Sequence, residues 1–339
     1  MIKFQPPKHF DGKSVLITGG TGSFGKKMAQ FLLQNSKLKR LVIFSRDELK
    51  QFDMMNEFSK TNSERLRFFI GDVRDAERLI LASRNIDIII HAAAMKQILA
   101  AEYNPTECIA TNVLGAQNVI KAAITNRVSK VIALSTDKAA SPTNLYGATK
   151  LCSDKLFIAA NNLSGDIRTR FSIVRYGNVI GSRGSVIPLF KSLIASGTDV
   201  LPLTDKEMTR FMISLAQGVN FVSNVTDIMT GGEIFIPKLP SAKIFDIAQI
   251  ISPNKYEIVG IRPGEKLHEV MLPMEDARNS LEFETFFLIC PTSSYWSRDD
   301  FIKGIFLKGV PVSPSFVYSS DKNESWLEGK ELASLIDSF

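Results

Sequence analysis

The sequence predicts an α/β fold, in which a doubly wound parallel sheet is followed by a smaller α/β lobe. Short apolar runs alternate with helix-like segments through the first half of the chain. Several of these runs are apolar throughout and rich in Val and Ile, as strands covered on both faces are. A glycine-rich turn follows the first run directly. Together these features are typical of a series of β-α-β units.

The alternation of apolar runs places the strands of the sheet. The predicted strands are Ser14–Thr18, Leu41–Ser45, Leu66–Ile70, Ile86–His91, Lys130–Ser135 and Phe171–Tyr176. A helix is predicted to begin at Asn104-Pro105, where a cap residue precedes proline. After about Gly181 the regular alternation ends. We therefore assign residues 1–180 to the first domain and residues 181–339 to a substrate-binding lobe, with approximate boundaries and segments that can interleave.

Composition and charge argue against several classes of protein. No apolar run reaches the ~20 residues of a membrane-spanning helix, and Met1–Asp11 lacks the apolar core of a signal peptide. The formal charge of +6 is scattered among acidic residues, unlike the basic stripe of a nucleic-acid binder. Cysteines and histidines, three of each and far apart, predict neither disulfides nor a metal site. We expect a cytoplasmic protein with reduced thiols.

The turn after the first strand has the G-x-x-G-x-x-G spacing of a dinucleotide-binding loop. Glycine lets the backbone approach a pyrophosphate, and the next helix directs its N-terminal amides at that charge. Residues 1–180 are therefore predicted to form a Rossmann-type domain. The loop residues expected to contact the cofactor are Gly19, Thr21, Gly22, Ser23, Phe24 and Gly25. Asp72, Val73 and Ala92, after the third and fourth strands, are expected to join them, although Asp72 can equally be a helix cap.

The end of the second strand favours NADP over NAD. An NAD site usually places a carboxylate here for the ribose 2′-hydroxyl. This sequence has Ser45 and Arg46, whose hydroxyl and guanidinium suit a 2′-phosphate. Asp47, one residue later, keeps NAD open.

Tyr146 and Lys150 are four residues apart, which places them on one face of a helix. A tyrosine titrates near ~10, and a neighbouring ammonium lowers that pKa. The phenolate can then take a proton from a hydroxyl while hydride leaves the same carbon. We predict that both residues are catalytic and that both also contact the nicotinamide end of the cofactor.

Three polar residues end the fifth strand, upstream of Tyr146. Thr136 can bind the reacting oxygen. Asp137 and Lys138 exceed what a plain dehydrogenase needs, and they can supply the acid and base for eliminating water. A surface ion pair is the alternative interpretation of these two residues. All three lie where ligands collect at the edge of a parallel sheet.

Several segments resemble the C5-inverting UDP-N-acetylglucosamine 4,6-dehydratases of the extended short-chain dehydrogenase/reductase superfamily. They are Thr18–Gly25, Ser45–Lys50, Ser135–Ala139 and Arg262-Pro263-Gly264-Glu265-Lys266. The similarity runs from about Asp11 to Trp326. One departure is Ile98-Leu99, where relatives usually have Val-Pro in a loop that borders the sugar.

The resemblance implies tightly held NADP, UDP-N-acetylglucosamine as substrate and a dimer-based homo-oligomer. It places Thr136, Asp137, Lys138, Tyr146 and Lys150 in the active site. It further implies that the substrate contacts Lys96, Asn178, Arg262 and Glu265.

The implied reaction is an internal redox cycle. Tyr146, helped by Lys150, removes the C4 hydroxyl proton as hydride leaves C4. Lys138 removes the C5 proton, and Asp137 protonates the C6 hydroxyl. A lysine base must be neutral at some stage, so the pKa of Lys138, near ~10.4 in water, is expected to fall through desolvation or a nearby cation. Hydride returns to C6 and C5 is reprotonated from the opposite face. The implied product is UDP-2-acetamido-2,6-dideoxy-β-L-arabino-hex-4-ulose, a precursor of bacterial surface or flagellar glycans such as pseudaminic acid.

Two other functions remain open from the sequence. A UDP-hexose 4-epimerase needs the glycine loop and the Tyr146–Lys150 pair but not Asp137 and Lys138. A regulatory NADP-binding protein needs only the loop.

Overall fold

A computed structural model of the chain describes residues 6–165, 169–182, 184–198, 200–253, 255–292, 296–305 and 308–337. Its strands are β1 (Ser14–Thr18), β2 (Arg40–Ser45), β3 (Leu66–Ile70), β4 (Ile88–His91), β5 (Lys130–Thr136), β6 (Arg170–Tyr176), β7 (Asn178–Val179), β8 (Leu201–Leu203), β9 (Thr209–Ile213), β10 (Ile234–Pro237), β11 (Ser241–Lys243), β12 (Tyr256–Ile258), β13 (Val270–Leu272), β14 (Ser280–Glu282), β15 (Phe286–Ile289), β16 (Val310–Pro311) and β17 (Tyr318–Ser319).

The helices alternate with these strands through the first half of the chain. They are α1 (Ser23–Asn35), α2 (Glu48–Asn62), α3 (Ala76–Ala82), α4 (Ile98–Tyr103), α5 (Pro105–Ile109), α6 (Gly115–Thr125), α7 (Leu145–Leu163), α8 (Val186–Ala195), α9 (Leu215–Ile228), α10 (Ile244–Ile251), α11 (Met274–Ala277), α12 (Arg298–Ile305) and α13 (Gly329–Asp337). A π-helical turn, Ala110–Leu114, joins α5 to α6. As predicted, Pro105 lies in the first turn of a helix that follows Asn104.

The largest sheet in the described ranges has ten strands, in the order β16-β14-β15-β10-β6-β5-β4-β1-β2-β3. The seven strands from β10 to β3 pair in parallel, and the other three join antiparallel. The order 3-2-1-4-5-6 is that of a Rossmann fold. The predicted fold class is therefore confirmed.

The apolar runs became strands because helices cover both faces of the sheet. β1 and β4 are buried at every position. β1 and β3 have the predicted bounds, whereas β4 begins at Ile88 instead of Ile86. The chain before it is held by Asp87, whose Oδ2 accepts a hydrogen bond of 2.7 Å from the amide of Ser14.

Residues after Gly181 contribute to two parts of the molecule. β7, β9 and β11 form one small sheet, and β8 pairs with β12. A second apolar cluster lies between α8, α10 and α13 and includes Phe190, Leu201, Ile247 and Leu332. β10, β14, β15 and β16 instead extend the large sheet. The later half of the chain therefore builds the smaller lobe and also completes the sheet.

The carboxyl ends of β1, β4, β5 and β6 meet at one edge of the sheet, because these strands are parallel neighbours. The glycine loop, Ala92, the turn Asp137–Ala139 and Asn178 follow these four ends in the same order. Ligands bind at this edge in open α/β sheets. Among the described residues, no helix combines the length and apolarity needed to cross a bilayer.

Candidate active site

The glycine loop is shaped by close backbone approaches. Gly19 has a φ of +64°, and a Cβ there would lie 2.9 Å from the backbone of Ala93. A Cβ on Gly25 would lie 2.6 Å from the carbonyl oxygen of Gly19. Side chains at these positions would collide with neighbouring backbone, and no side chain caps the first amides of α1. The loop therefore fits a dinucleotide pyrophosphate.

The end of β2 presents cations to the cleft. The side chain of Arg46 is 59% exposed, and its Nη1 lies 3.7 Å from Oδ2 of Asp72. Asp47, the carboxylate that kept NAD open, accepts a 3.0 Å hydrogen bond from the amide of Lys50 and pairs with its Nζ. Asp47 therefore forms an ion pair with its neighbour, and Arg46, Asp47 and Lys50 all line the cleft.

Asp72 is a paired carboxylate after β3. Its Oδ1 accepts from the amide of Arg74 at 2.9 Å, and its Oδ2 lies 2.7 Å from Nη2 of the same residue. Burial raises the pKa of Asp72, but the hydrogen bonds from Arg74 outweigh burial and the pKa is lowered. Asp75, and not Asp72, caps α3.

The predicted tyrosine and lysine occupy one face of α7. This helix begins after Asn144, whose Oδ1 accepts a 2.8 Å hydrogen bond from the amide of Gly147. Tyr146 is 9% exposed and Lys150 is 3% exposed, and both line the cleft. Nζ of Lys150 donates to the carbonyl oxygen of Leu134 at 2.7 Å, so the lysine is fixed against β5.

The charge environment of Tyr146 differs from our expectation. Burial raises its pKa to about 12, and Lys138 and Thr136 only partly oppose this effect. The predicted lowering by Lys150 is wrong for the protein alone, because burial dominates at the phenol. Burial also lowers the pKa of Lys150, which Asp154 partly opposes.

Thr136, Asp137 and Lys138 form a hydrogen-bonded network at the end of β5. Oδ1 of Asp137 accepts from Oγ1 of Thr136 at 2.7 Å and from Nζ of Lys138 at 3.0 Å. Nζ of Lys138 also lies 3.3 Å from Oε1 of Glu269. The two carboxylates are buried, whereas the lysine side chain is 21% exposed. Asp137 and Lys138 are therefore not a solvated surface pair.

These three charges perturb one another strongly. Burial lowers the pKa of Lys138, but Asp137 and Glu269 outweigh burial and raise it. Burial raises the pKa of Asp137, but Lys138 and the Thr136 hydrogen bond lower it overall. The ammonium–carboxylate form is thus stabilised. The expectation that the surroundings of Lys138 lower its pKa is wrong, because two carboxylates contact its Nζ.

One cleft of about 620 Å³ joins these features. The residues predicted for cofactor and catalysis that line it are Gly19, Thr21, Gly22, Ser23, Phe24, Gly25, Ser45, Arg46, Asp72, Val73, Ala92, Thr136, Lys138, Tyr146 and Lys150. Asp137 is not part of the lining, since it is buried next to Lys138.

The residues predicted to contact substrate divide into two groups. Lys96 and Asn178 line the cleft, and burial lowers the pKa of Lys96. Arg262 and Glu265 do not line it, and Oε2 of Glu265 accepts a 3.2 Å hydrogen bond from the amide of Arg262. Their turn is nevertheless attached to the start of α7, because Asn144 Nδ2 donates to the carbonyl oxygen of Gly264 at 2.8 Å.

A family model described as "Polysaccharide biosynthesis protein" matches residues 15–291, which is more than half of the chain. The chain belongs to this family. Within the polysaccharide biosynthesis family, the chain is 56% identical over 331 residues to a Campylobacter jejuni protein (strain 81-176) named UDP-N-acetylglucosamine 4,6-dehydratase (inverting). The match covers 97% of this chain and 98% of that protein. The resemblance seen in the sequence motifs is confirmed.

Other relatives are more distant. A Rickettsia bellii protein named UDP-glucose 4-epimerase is 41% identical over 288 residues, covering 83% of each chain. Among solved structures, Pen from Bacillus thuringiensis is 38% identical with a TM-score of 0.86, covering 97% of this chain and 98% of that chain. DesIV from Streptomyces venezuelae, a dTDP-glucose 4,6-dehydratase, has a TM-score of 0.67 at 23% identity, covering 75% and 86%. This last likeness supports the fold alone.

Four residues near the site were not predicted from the sequence. Glu269 and Arg210 contact the Lys138 network from the smaller lobe. Gln97 and Lys50 line the cleft. Ile98-Leu99, expected in a loop, begins α4 instead, and Leu99 is 69% exposed. No spacing signal connects Glu269 to Lys138, because their meeting depends on how the lobe packs against β5.

Proposed function

We propose that the protein is an NADP-dependent UDP-N-acetylglucosamine 4,6-dehydratase that inverts C5. The observation that carries the proposal is the hydrogen-bonded network of Thr136, Asp137 and Lys138 beside Tyr146. Oxidation of a hydroxyl needs Tyr146 and Lys150, whereas loss of water needs a further acid and base. The name of the 56% identical relative supports the same function.

The residues around the cleft fit NADP. The glycine loop leaves room for the pyrophosphate, and Arg46 and Lys50 offer two cations to a 2′-phosphate. Asp47 also lines the cleft, but its carboxylate is paired with Lys50. When bound, NADP supplies the acceptor of the C4 hydride and later its donor to C6.

The chain's own residues supply the proton transfers. Tyr146 takes the C4 hydroxyl proton, and Lys150 keeps positive charge near the phenolate. A cationic nicotinamide would oppose the burial that raises the pKa of Tyr146. The C4 ketone then acidifies the proton on C5.

Water is lost through Asp137 and Lys138. Transfer of one proton along their 3.0 Å hydrogen bond converts the ion pair into a neutral amine and a carboxylic acid. The amine removes the C5 proton, and the acid protonates the departing C6 hydroxyl. Elimination therefore restores the ammonium and the carboxylate, so the pair needs no external proton in this step.

Incubation of the purified protein with NADP and UDP-N-acetylglucosamine tests the proposal. We expect the mass of the sugar nucleotide to fall by one water. An unchanged mass with a C4 epimer would identify an epimerase, and an unchanged substrate would identify a binding protein. Either result would overturn the dehydratase assignment.

A further inference from the structure

Glu269 is a buried carboxylate outside the residues assigned so far. It lies immediately before β13 and is 2% exposed. Its amide donates to Oγ of Ser320 at 2.9 Å, and its carbonyl oxygen accepts from the amide of Ser320 at 2.8 Å. The pairing of β13 with β17 therefore fixes its backbone.

The carboxylate of Glu269 faces cations. Oε1 lies 3.3 Å from Nζ of Lys138 and 3.8 Å from Nε of Arg210. Oε2 is buried and has no hydrogen-bond partner among the described residues. Arg210 itself is held by carbonyl oxygens, including that of Thr209 at 2.7 Å. Lys138 is thus the group that Glu269 contacts most closely and that also reaches the cleft.

A second buried carboxylate, Glu233, shows what a structural role looks like in this protein. Its oxygens accept from the amides of Thr230 at 3.0 Å and Gly231 at 2.8 Å, and from Nε1 of Trp296 at 2.9 Å. Both carboxylate oxygens of Glu233 accept hydrogen bonds from uncharged donors. Glu269 has no such donors in the described ranges, and its contacts are with charged groups.

We propose that Glu269 is a positioning residue, whose carboxylate holds the Lys138 side chain where its neutral amine can take the C5 proton. The inference rests on the proposed dehydratase function. A base is commonly oriented by a third group, and a small misplacement of a catalytic group can slow a reaction by about 100-fold. Asp137 cannot fill this role alone, because it must donate its own proton to the C6 hydroxyl.

The charges around Glu269 come from several elements. Burial and Asp137 raise its pKa, while Lys138, Arg210 and Lys266 oppose this increase. The three cations therefore favour the carboxylate form. Glu269 in turn raises the pKa of Lys138, together with Asp137.

Glu269→Gln tests the inference, because it keeps the shape and removes the charge. The NADP-loaded variant is mixed with substrate in D₂O. We expect it to form reduced cofactor in the first turnover at a rate within about threefold of wild type, because Tyr146 performs that step. Exchange of deuterium into C5 should fall about 100-fold, the effect of misplacing a catalytic group. Glu269→Asp should recover part of this rate.

The pH dependence of C5 exchange distinguishes an effect of Glu269 on Lys138 from a general effect on the structure. Loss of Glu269 lowers the pKa of Lys138, so C5 exchange in Glu269→Gln should reach its plateau at a lower pH than in wild type. The matched control is Glu207→Gln, since Glu207 pairs with Lys243 at 3.2 Å on the exposed surface. This control should match wild type in both steps.

Distinct results contradict the inference and the proposed function. Two results would overturn the role of Glu269. One is a wild-type rate of C5 exchange in Glu269→Gln. The other is an equal loss of oxidation and of exchange with an unchanged pH profile. If Glu269→Gln does not fold, Glu269→Asp is tested instead. A wild-type rate of C5 exchange with an unshifted pH profile in Glu269→Asp would also overturn the role of Glu269. Failure of the wild-type protein to release water would instead overturn the dehydratase function, and the role of Glu269 with it.

Discussion

Lys150 and Asp154 lie one turn apart on α7, and the Asp154 carboxylate opposes the burial that lowers the pKa of Lys150. The same carboxylate lies 3.3 Å from Nη2 of Arg175, and both partners of that pair are almost completely buried. Oγ of Ser135 also donates to it at 2.8 Å. Asp154 therefore connects a catalytic candidate on α7 to β5 and β6 underneath the cleft.

Asp154→Asn should reduce the free energy of unfolding by about 3–5 kcal/mol, because it leaves the Arg175 guanidinium buried without a counter-charge. Urea unfolding measures this change. The control Glu77→Gln breaks an exposed pair with Lys121 at 3.9 Å and should cost about 0–1 kcal/mol. Equal effects of the two substitutions would show that the buried pair adds no stability.

Arg46→Ala should weaken binding of NADP about 10- to 100-fold and leave binding of NAD nearly unchanged. A charge-assisted hydrogen bond to the 2′-phosphate contributes about 1.5–3 kcal/mol, and NAD lacks that group. Calorimetry with each nucleotide measures the difference. The exposed Arg278, outside the cleft, provides the control Arg278→Ala. Equal losses for NADP and NAD would contradict recognition of the 2′-phosphate by Arg46.

Much of the sheet could be predicted because its strands are recognisable from their local composition. β1 is apolar or β-branched at every position after Ser14 and is buried throughout, as a strand covered on both faces requires. β3, at the edge of the sheet, is apolar except at Arg67, although only Leu66 is fully buried. The glycine loop and the Tyr146–Lys150 spacing are also local patterns, and all of these residues line one cleft.

The electrostatics of the site could not be predicted from local patterns. Glu269 reaches Lys138 because β13 packs against the turn Asp137–Ala139 at the end of β5, and Arg210 on β9 lies beside Glu269. Asp137 and Glu269 together raise the pKa of Lys138, against the expected direction. Burial similarly reverses the expectation for Tyr146, since the sequence does not reveal how deeply a helix face is covered.

Lys138→Ala and Tyr146→Phe should block different steps of the proposed reaction. In a single turnover, Lys138→Ala should accumulate reduced cofactor and the 4-keto sugar, because oxidation at C4 does not use its amine. Tyr146→Phe should form neither, because the C4 hydroxyl proton has no acceptor. Stopped-flow absorbance of the reduced nicotinamide distinguishes them. Normal turnover of Lys138→Ala would contradict its role as base.

His91 should make the stability of the fold depend on pH. Burial lowers its pKa to about 3, and its Nδ1 lies 2.8 Å from Oγ1 of Thr18. Below pH ~6.5 the unfolded chain takes up a proton at this histidine while the folded chain does not, so stability is lost as pH falls.

From pH ~6.5 to ~5, this proton uptake should cost the wild type about 2 kcal/mol more than His91→Asn. Urea unfolding of both proteins at these two pH values gives the difference. A parallel loss in wild type and variant would show that His91 titrates alike in the folded and unfolded chains.

The proposed reaction is tested most directly by NMR of the product formed from UDP-N-acetylglucosamine in D₂O. In the proposed reaction Lys138 removes the C5 proton and a proton from solvent is added to the opposite face of C5, whereas the hydrogen returned to C6 comes from C4 of the same sugar. We therefore expect a 4-keto, 6-deoxy product with inverted C5 that carries deuterium at C5 and none delivered from solvent to C6. A product that retains the C6 hydroxyl, or one without deuterium at C5, would contradict the dehydratase mechanism.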